Sequence, residues 1–301
     1  MTDVKEEICR LTLEAGFCEA RILSGTERFE PPASVNAGRR INSPTLLVTA
    51  LPYGNDSVET PSAQAGWAVI APFARKNYYR EAIRRLQKLS QVFRSRFGGT
   101  KADYRVFCNS PLNEKLLALT CGLGMVGRNS LIITPSAGSL VVIAALTLPF
   151  PLDGDSALVG DPCRACTLCV AACPTHAVRG DGTIDRLRCI QWYASGNEDA
   201  VPSYVADKWG QTLYGCVFCQ DVCPHNRRPI TGAETELSLL PASIDPQKLL
   251  AMTDEEIRAF FKGSAMGLSW LKPHHIRSST LRVLDNFTRG GVRKGDPLSP
   301  S

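Results

Sequence analysis

The chain reads as an α+β protein, an α/β N-terminal part with a mixed sheet followed by a cysteine-dense middle and a short helical end. Three observations predict this. Apolar runs of strand length alternate with amphipathic helical stretches up to about residue 150, eight of the twelve cysteines fall between residues 163 and 223, and two helix-start signals follow residue 233.

A length of 301 residues suits about two domains at roughly 100 to 200 residues each. Hydrophobic residues at 44% and charged ones at 21% match ordinary globular usage and exclude disorder, collagen repeats and coiled coil. The longest strongly apolar run, Leu140 to Phe150, falls short of the roughly 20 residues a bilayer demands. Asp3, Glu6 and Glu7 stand where a signal peptide carries positive charge, so a cytoplasmic, membrane-free protein is expected.

Asp3 and Glu6 make a capping-box-like start, and Val4, Ile8, Leu11 and Ala15 follow at helical spacing until Gly16. Thr45 to Leu51 reads as a buried strand ending at Pro52. Tyr79, Ile83, Leu86, Leu89 and Phe93 form the core face of a long helix. Tyr104 to Cys108 is a further strand. Ser110 as N-cap and Pro111 as first helical residue open a helix carrying Leu112, Leu116 and Leu119, which puts Asn109 at a strand-to-helix corner. Leu131 to Thr134 and Leu140 to Leu148 are expected to pair as a hairpin. Residues 1–155 thus form one domain.

Residues 156–232 hold few strand-like runs, and metal rather than apolar core is expected to hold them together. Residues 233–301 begin with a second capping box, Thr253 and Glu256, and Pro273 opens a helix with Ile276, Val283 and Leu284. This gives a helical hairpin and then a Gly-rich tail from Gly290.

With no export signal, twelve cysteines argue for metal ligation over disulfides. Cys163, Cys166, Cys169 and Cys173 with Pro174 spell CxxCxxCxxxCP, in which three thiolates grip one cubane and the fourth reaches its neighbour. Cys216, Cys219 and Cys223 with Pro224 repeat the unit one thiolate short, and Cys189 completes the number. Chain geometry assigns Cys163, Cys166, Cys169 and Cys223 to a first 4Fe-4S cluster and Cys173, Cys189, Cys216 and Cys219 to a second, in a bacterial-ferredoxin-like domain. Zinc in two S4 cages is the competing reading, but the compact three-cysteine run and the Cys-Pro endings favour cubanes. Two such clusters lower the formal charge of +5 to about +1, so global charge says little about nucleic acid.

Gly122, Gly124 and Gly127 match GxGxxG, yet a helix precedes them and a strand follows, the reverse of a dinucleotide fingerprint. The alternatives are a tight turn after a helix, or a backbone loop approaching another flat cofactor.

Taken in order, GLGMVGRNSLIITPSAGS, CRACTLCVAACPTHAV, LRCIQWY and YGCVFCQDVCPHN resemble the epoxyqueuosine reductase family, and APFARKNYYREAIRRL and FKGSAMGLSWLKPHHIRSSTLRVLDNF extend the likeness to residues 45–288. The resemblance implies an oxidoreductase that holds cobalamin in the N-terminal domain, takes electrons through both clusters and reduces epoxyqueuosine in tRNA to queuosine, in queuosine biosynthesis. It also implies an external donor such as a flavodoxin or ferredoxin, a monomer, and a corrinoid-contacting loop at Gly122, Gly124, Gly127, Arg128 and Asn129. Related architecture occurs in corrinoid reductive dehalogenases.

One departure matters most. The family's catalytic Asp falls here on Asn109, whose amide can bond an oxyanion but has no proton to give. Asp103, Tyr104 and Glu114 stand as alternative acids. The chain also stops after about one helix pair where longer members continue, and the resemblance makes that pair a HEAT-like remnant. There His274, His275, Arg277, Arg282, Arg289, Arg293 and Lys294 either touch phosphates or form a solvated face. Cys9, Cys18, Cys108 and Cys121 read as small buried hydrophobes. His176 and His225 tune a cluster or simply pack; Tyr78 and Tyr79 line a cleft or the core. The second functional reading is an electron-transfer or corrinoid-handling protein with no epoxide substrate of its own.

Overall fold

The computed structural model describes residues 2–25, 43–54, 66–197, 200–227 and 240–290. In chain order its helices are α1 Thr2–Glu14, α2 Tyr78–Phe97, α3 Glu114–Thr120, α4 Leu168–Ala171, α5 Ile190–Ala194, α6 Ser203–Ala206, α7 Phe218–Asp221, α8 Pro246–Ala251, α9 Asp254–Phe260 and α10 Pro273–Thr288. The strands are β1 Glu19–Ser24, β2 Thr45–Pro52, β3 Ala68–Ile70, β4 Val106–Cys108, β5 Met125–Val126, β6 Ile132–Ile133, β7 Val141–Leu148, β8 Thr212–Tyr214 and β9 Ser243–Ile244.

Two units divide them, and the chain crosses between them several times. The first takes the described residues of Met1–Gly54, Tyr78–Cys166 and Pro224–Thr235, the second those of Asn55–Asn77, Thr167–Cys223 and Glu236–Ser301. The sequential limits expected at residues 155 and 232 are therefore not the limits of either unit.

In the first unit the main sheet runs β1-β2-β7-β4 and is antiparallel throughout, so the mixed sheet expected there is a correction. All eight residues of β2 are buried, so both faces of the strand are covered, since successive side chains point to opposite sides. Leu46, Val48 and Ala50 pack with Ala118, Cys121 and Leu123 on one face. The buried Thr49 hydroxyl is satisfied by donating to the Ala144 carbonyl at 3.1 Å.

α1 ends where expected. Gly16 adopts φ +86°, and a Cβ there would meet Arg85 Nη1 at 2.0 Å. That guanidinium donates to the Ala15 carbonyl at 2.8 Å, satisfying an orphan group at the helix end.

Two expectations fail locally. α3 starts at Glu114, its N-cap being Asn113, whose side chain accepts from the Leu116 amide at 3.0 Å. Ser110 instead donates its amide to the Glu114 carboxylate at 2.9 Å, so the capping chemistry lies three residues later than Ser110-Pro111 suggested. The hairpin of Leu131 to Thr134 with Leu140 to Leu148 does not form either. β6 pairs with β5, because the chain reverses tightly through Gly127 and Ser130, the latter at φ +66°, while β7 lies between β2 and β4.

The second unit holds the mixed sheet: β3 runs parallel to β8 and antiparallel to β9. Its core corrects the expectation that metal alone organises the cysteine-rich segment. Ile190, Tyr193, Val205, Trp209 and Leu213, all from that segment, pack with Leu249, Phe261, Ile276 and Val283. The fully buried Trp209 donates Nε1–H to the Thr212 carbonyl at 2.6 Å. Asn286 of α10 accepts from the Gly210 amide at 3.1 Å and donates to the Ala206 carbonyl at 2.7 Å. α9 carries the expected Thr253/Glu256 capping box and α10 begins at Pro273. Arg293, Lys294 and the tail lie outside the described residues. Among those described, no helix is long and apolar enough to cross a membrane.

Candidate redox centre

Cys173, Cys189, Cys216 and Cys219 all lie within the second unit, on three stretches of the chain. Cys173 follows α4, Cys189 is the N-cap residue of α5, Cys216 precedes α7 and Cys219 lies inside it. They are near enough to act on one another electrically. The Cys216 thiol is pushed well above its ordinary value by burial first, then by Cys219, Cys189 and Cys173. Cys219 is raised by burial, then by Cys189, Cys173 and Cys169. Burial is also the main cause of the rise at Cys189.

Backbone amides point at these sulfurs. Ala177 N–H donates to Cys173 Sγ at 3.2 Å. The amides of Trp192 and Gln191 serve Cys189, and that of Phe218 serves Cys216. Four half-buried thiolates repel one another unless a polycationic core sits among them, and N–H donors around sulfur suit electron-rich thiolates. The all-sulfur donor set therefore fits an iron-sulfur cubane.

Of the other four cysteines expected to bind a cluster, Cys163 and Cys166 belong to the first unit, and Cys169 and the buried Cys223 to the second. In the first unit Arg128 N–H donates to Cys163 Sγ at 3.4 Å, and Arg128 Nη2 donates to the Arg164 carbonyl at 2.7 Å. The Asp161 carboxylate, 4.0 Å from Arg128, accepts from the Cys163 amide at 2.8 Å. His225 Nε2 lies 2.9 Å from the carbonyl of Pro162, next to this cysteine. His176 is exposed, at φ +53°.

The glycine loop serves its own ribbon. A Cβ on Gly124 would meet Ile132 Cγ2 at 2.6 Å and the Ile133 carbonyl oxygen at 2.7 Å; one on Gly127 would meet Ile133 Cδ1 at 2.6 Å. Gly122, at φ +68°, faces the Ser156 carbonyl oxygen, 2.2 Å from where its Cβ would be. Buried Asn129 accepts from the Leu131 amide at 3.3 Å. Close approach of the chain to itself accounts for these glycines.

Asn109 follows β4 in the left-handed region at φ +49°, a conformation Asn and Asp tolerate best after glycine. None of the alternative acids stands free. Asp103 is fully exposed and closes a capping box with Thr100, whose amide and hydroxyl hold its carboxyl below the usual range. The Tyr104 hydroxyl donates to the Gly98 carbonyl at 2.8 Å, and burial raises its pKa. Glu114 is committed to Ser110.

Sequence reasoning missed Lys115. Its ammonium donates to Ser130 Oγ at 2.9 Å, and burial lowers its pKa; a lysine in the apolar Leu112–Leu119 stretch was the available signal. Of the remaining thiols, Cys108 and Cys121 are buried as expected, whereas Cys9 and Cys18 are only half-buried. Burial pushes Cys18, Cys108 and Cys121 up to about 12 and raises Cys9. Tyr78 packs on Tyr53 at 5.7 Å between centroids.

The C-terminal basic residues are structurally engaged. Arg277 donates to the Leu250 and Met252 carbonyls, Arg282 stacks over Trp209 at 5.1 Å, and Arg289 pairs with Asp285 at 2.8 Å. His275 takes the Lys272 amide at 3.1 Å, its ring 4.0 Å from that of His274.

The profile of a 4Fe-4S double cluster binding domain matches residues 162–226, so the chain carries such a domain. An epoxyqueuosine reductase of Pseudomonas aeruginosa is 30% identical over 300 residues, 95% of this chain and 81% of that one. One of Cyclobacterium marinum is 34% identical over 200 residues, 65% of this chain; that match spans 63% of the relative's length. Among solved structures, an epoxyqueuosine reductase bound to an epoxyqueuosine-modified tRNA-Tyr stem loop superposes with TM-score 0.79 at 24% identity, over 95% of this chain and 82% of that one. A reductive dehalogenase described in terms of B12-dependent dehalogenation superposes with TM-score 0.53 at 17% identity, covering 98% of this chain and 41% of that one.

Proposed function

The chain belongs to the epoxyqueuosine reductase family, and from that membership we propose that it is an oxidoreductase reducing epoxyqueuosine in tRNA to queuosine with electrons passed through two 4Fe-4S clusters. The observation that carries the redox part is that half-buried Cys173, Cys189, Cys216 and Cys219 lie in one unit, near enough to perturb one another, with backbone amides directed at their sulfurs. These four hold the second cluster. By spacing, Cys163, Cys166, Cys169 and Cys223 hold the first. When bound, the clusters supply one-electron steps. Reduction of one epoxide takes two electrons and two protons, and its oxygen leaves as water.

A corrinoid as the final electron acceptor enters this proposal from the family. The loop expected to contact it does not offer a cradle, since Gly122, Gly124 and Gly127 face the chain's own atoms and Asn129 is buried in the ribbon turn. On the protein side, the Asn109 amide can stabilise developing negative charge on oxygen but cannot deliver a proton, and the proton comes from solvent or another group.

Two measurements test the reading. Anaerobically reconstituted protein should hold roughly eight irons and eight sulfides, whereas stoichiometric zinc without sulfide rejects it. With hydroxocobalamin and a chemical reductant, epoxyqueuosine-bearing tRNA should be converted to the queuosine form. Full clusters with no conversion by wild type or by Asn109→Asp instead support an electron-transfer protein without an epoxide substrate.

A further inference from the structure

The second unit presents a small apolar patch beside a cluster cysteine. The turn Arg186–Arg188 is capped by Asp185, whose carboxylate accepts from the Leu187 amide at 3.1 Å. The Leu187 carbonyl accepts from two phenols, Tyr193 at 3.0 Å and Tyr204 at 3.2 Å. The backbone is pinned on both sides, yet the Leu187 side chain is 53% exposed and Tyr204 is 48% exposed. The turn therefore holds a leucine in water beside an exposed tyrosine, two residues before Cys189.

Cations rim the patch. Arg188 stacks on Tyr204 at 5.3 Å and donates Nε–H to the Thr175 carbonyl at 2.9 Å, and Arg186 stacks on Trp192 at 5.1 Å. Among the described residues no carboxylate pairs with Arg186 or Arg188. The nearby acids are Asp185, 3.3 Å from Arg179; Asp181, bound to Thr183; and Asp207, 3.9 Å from Arg289. Glu198 and Asp199 lie outside the described residues.

We infer that the Leu187/Tyr204 patch with its Arg186 and Arg188 rim is the docking surface for an acidic protein that carries single electrons, delivered to the cluster held by Cys189. The inference rests on the redox reading above. Redox encounters use small interfaces, below about 1,200 Å², so two exposed apolar residues inside a charged rim are sufficient, and opposite charge steers the approach. An aliphatic leucine at the centre favours a protein over RNA, because it neither pairs with phosphate nor stacks on a base. Each encounter moves one electron: the carrier's flavin hydroquinone becomes the semiquinone and the cluster core goes from 2+ to 1+. No bond forms or breaks, and two encounters supply one epoxide reduction.

The test uses the reconstituted full chain mixed anaerobically with flavodoxin hydroquinone, following cluster bleaching and semiquinone growth by stopped flow. The wild-type second-order rate should fall as salt rises. The double variant Arg186→Glu/Leu187→Ser should react at least about tenfold more slowly, while reduction by dithionite stays at the wild-type rate. A wild-type rate indifferent to salt, or a variant as fast as wild type, overturns the inference. So does a variant that loses affinity for a tRNA stem loop while keeping its flavodoxin rate, which assigns the patch to RNA. A preparation without iron and sulfide fails before the carrier is added and counts against the redox reading instead.

Discussion

The backbone amide of Arg128 donates to the sulfur of Cys163 at 3.4 Å, while its guanidinium holds the Arg164 carbonyl at 2.7 Å. A residue of the glycine loop is thereby fastened to the start of the cysteine motif, inside one unit. An N–H donor and a nearby cation both stabilise the extra electron of a reduced cluster. Arg128→Gln should lower the midpoint potential of the cluster held by Cys163 by tens of millivolts, on the order expected for a changed local charge. Redox titration followed by electron paramagnetic resonance checks this, and Arg128→Lys should recover most of the shift. Equal midpoints in all three proteins would leave the loop a structural role only.

Cys216→Ser should cost one cluster and spare the other. Iron should fall from roughly eight to roughly four per chain, with the change read by metal analysis of protein reconstituted in parallel. Loss of all iron would show that the two sets do not assemble independently.

Asn109 sits at φ +49°, which Asp also adopts readily. Asn109→Asp should therefore fold normally and, by restoring an acid, raise turnover of epoxyqueuosine tRNA about a hundredfold, the lower range for general acid catalysis. Asn109→Val should lower stability by roughly 1 to 2 kcal/mol through backbone strain. An Asp variant no faster than wild type places the proton source elsewhere.

Glu81 anchors the α1 end from α2. Its carboxyl is held down to about 2, chiefly by the Arg84 hydrogen bond with Arg85 adding to it and burial opposing. Because the folded value lies below the unfolded one, the contribution is fully present above the ordinary carboxyl value of 4.5 and is lost as pH falls toward 2. Discounted for the half-exposed Arg84, it is worth about 1 kcal/mol. Glu81→Gln should flatten the acid limb of stability against pH between 4.5 and 2, measured by denaturant midpoints.

Gly16→Ala tests the same junction sterically. A Cβ placed 2.0 Å from Arg85 Nη1 on a φ of +86° must displace that guanidinium and strain the backbone, costing about 2 kcal/mol. A melting temperature equal to wild type would mean that Arg85 moves aside freely.

Much of this was legible from the sequence because the signals were local. α1, β2, α2, α9 and α10 follow from 3.6-residue and strand-length periodicity with caps, and eight cysteines at fixed spacings with two prolines identify a double cluster domain. The start of α3 was misread because Asn113 and Ser110 both offer caps, and the choice depended on where the Glu114 carboxylate turned.

What tertiary structure alone decided is what depends on distant partners. Nothing near Trp209 in sequence announces that α10 will cover it, yet that packing gives the cysteine-rich segment a core of its own. The glycines spelled a cofactor fingerprint, and only the nearness of Ile132, Ile133 and Ser156 shows why each lacks a side chain. Spacing is written along one dimension and survives reading as such. Contact between residues far apart along the chain is not, because it is settled by which surfaces bury each other when the chain folds.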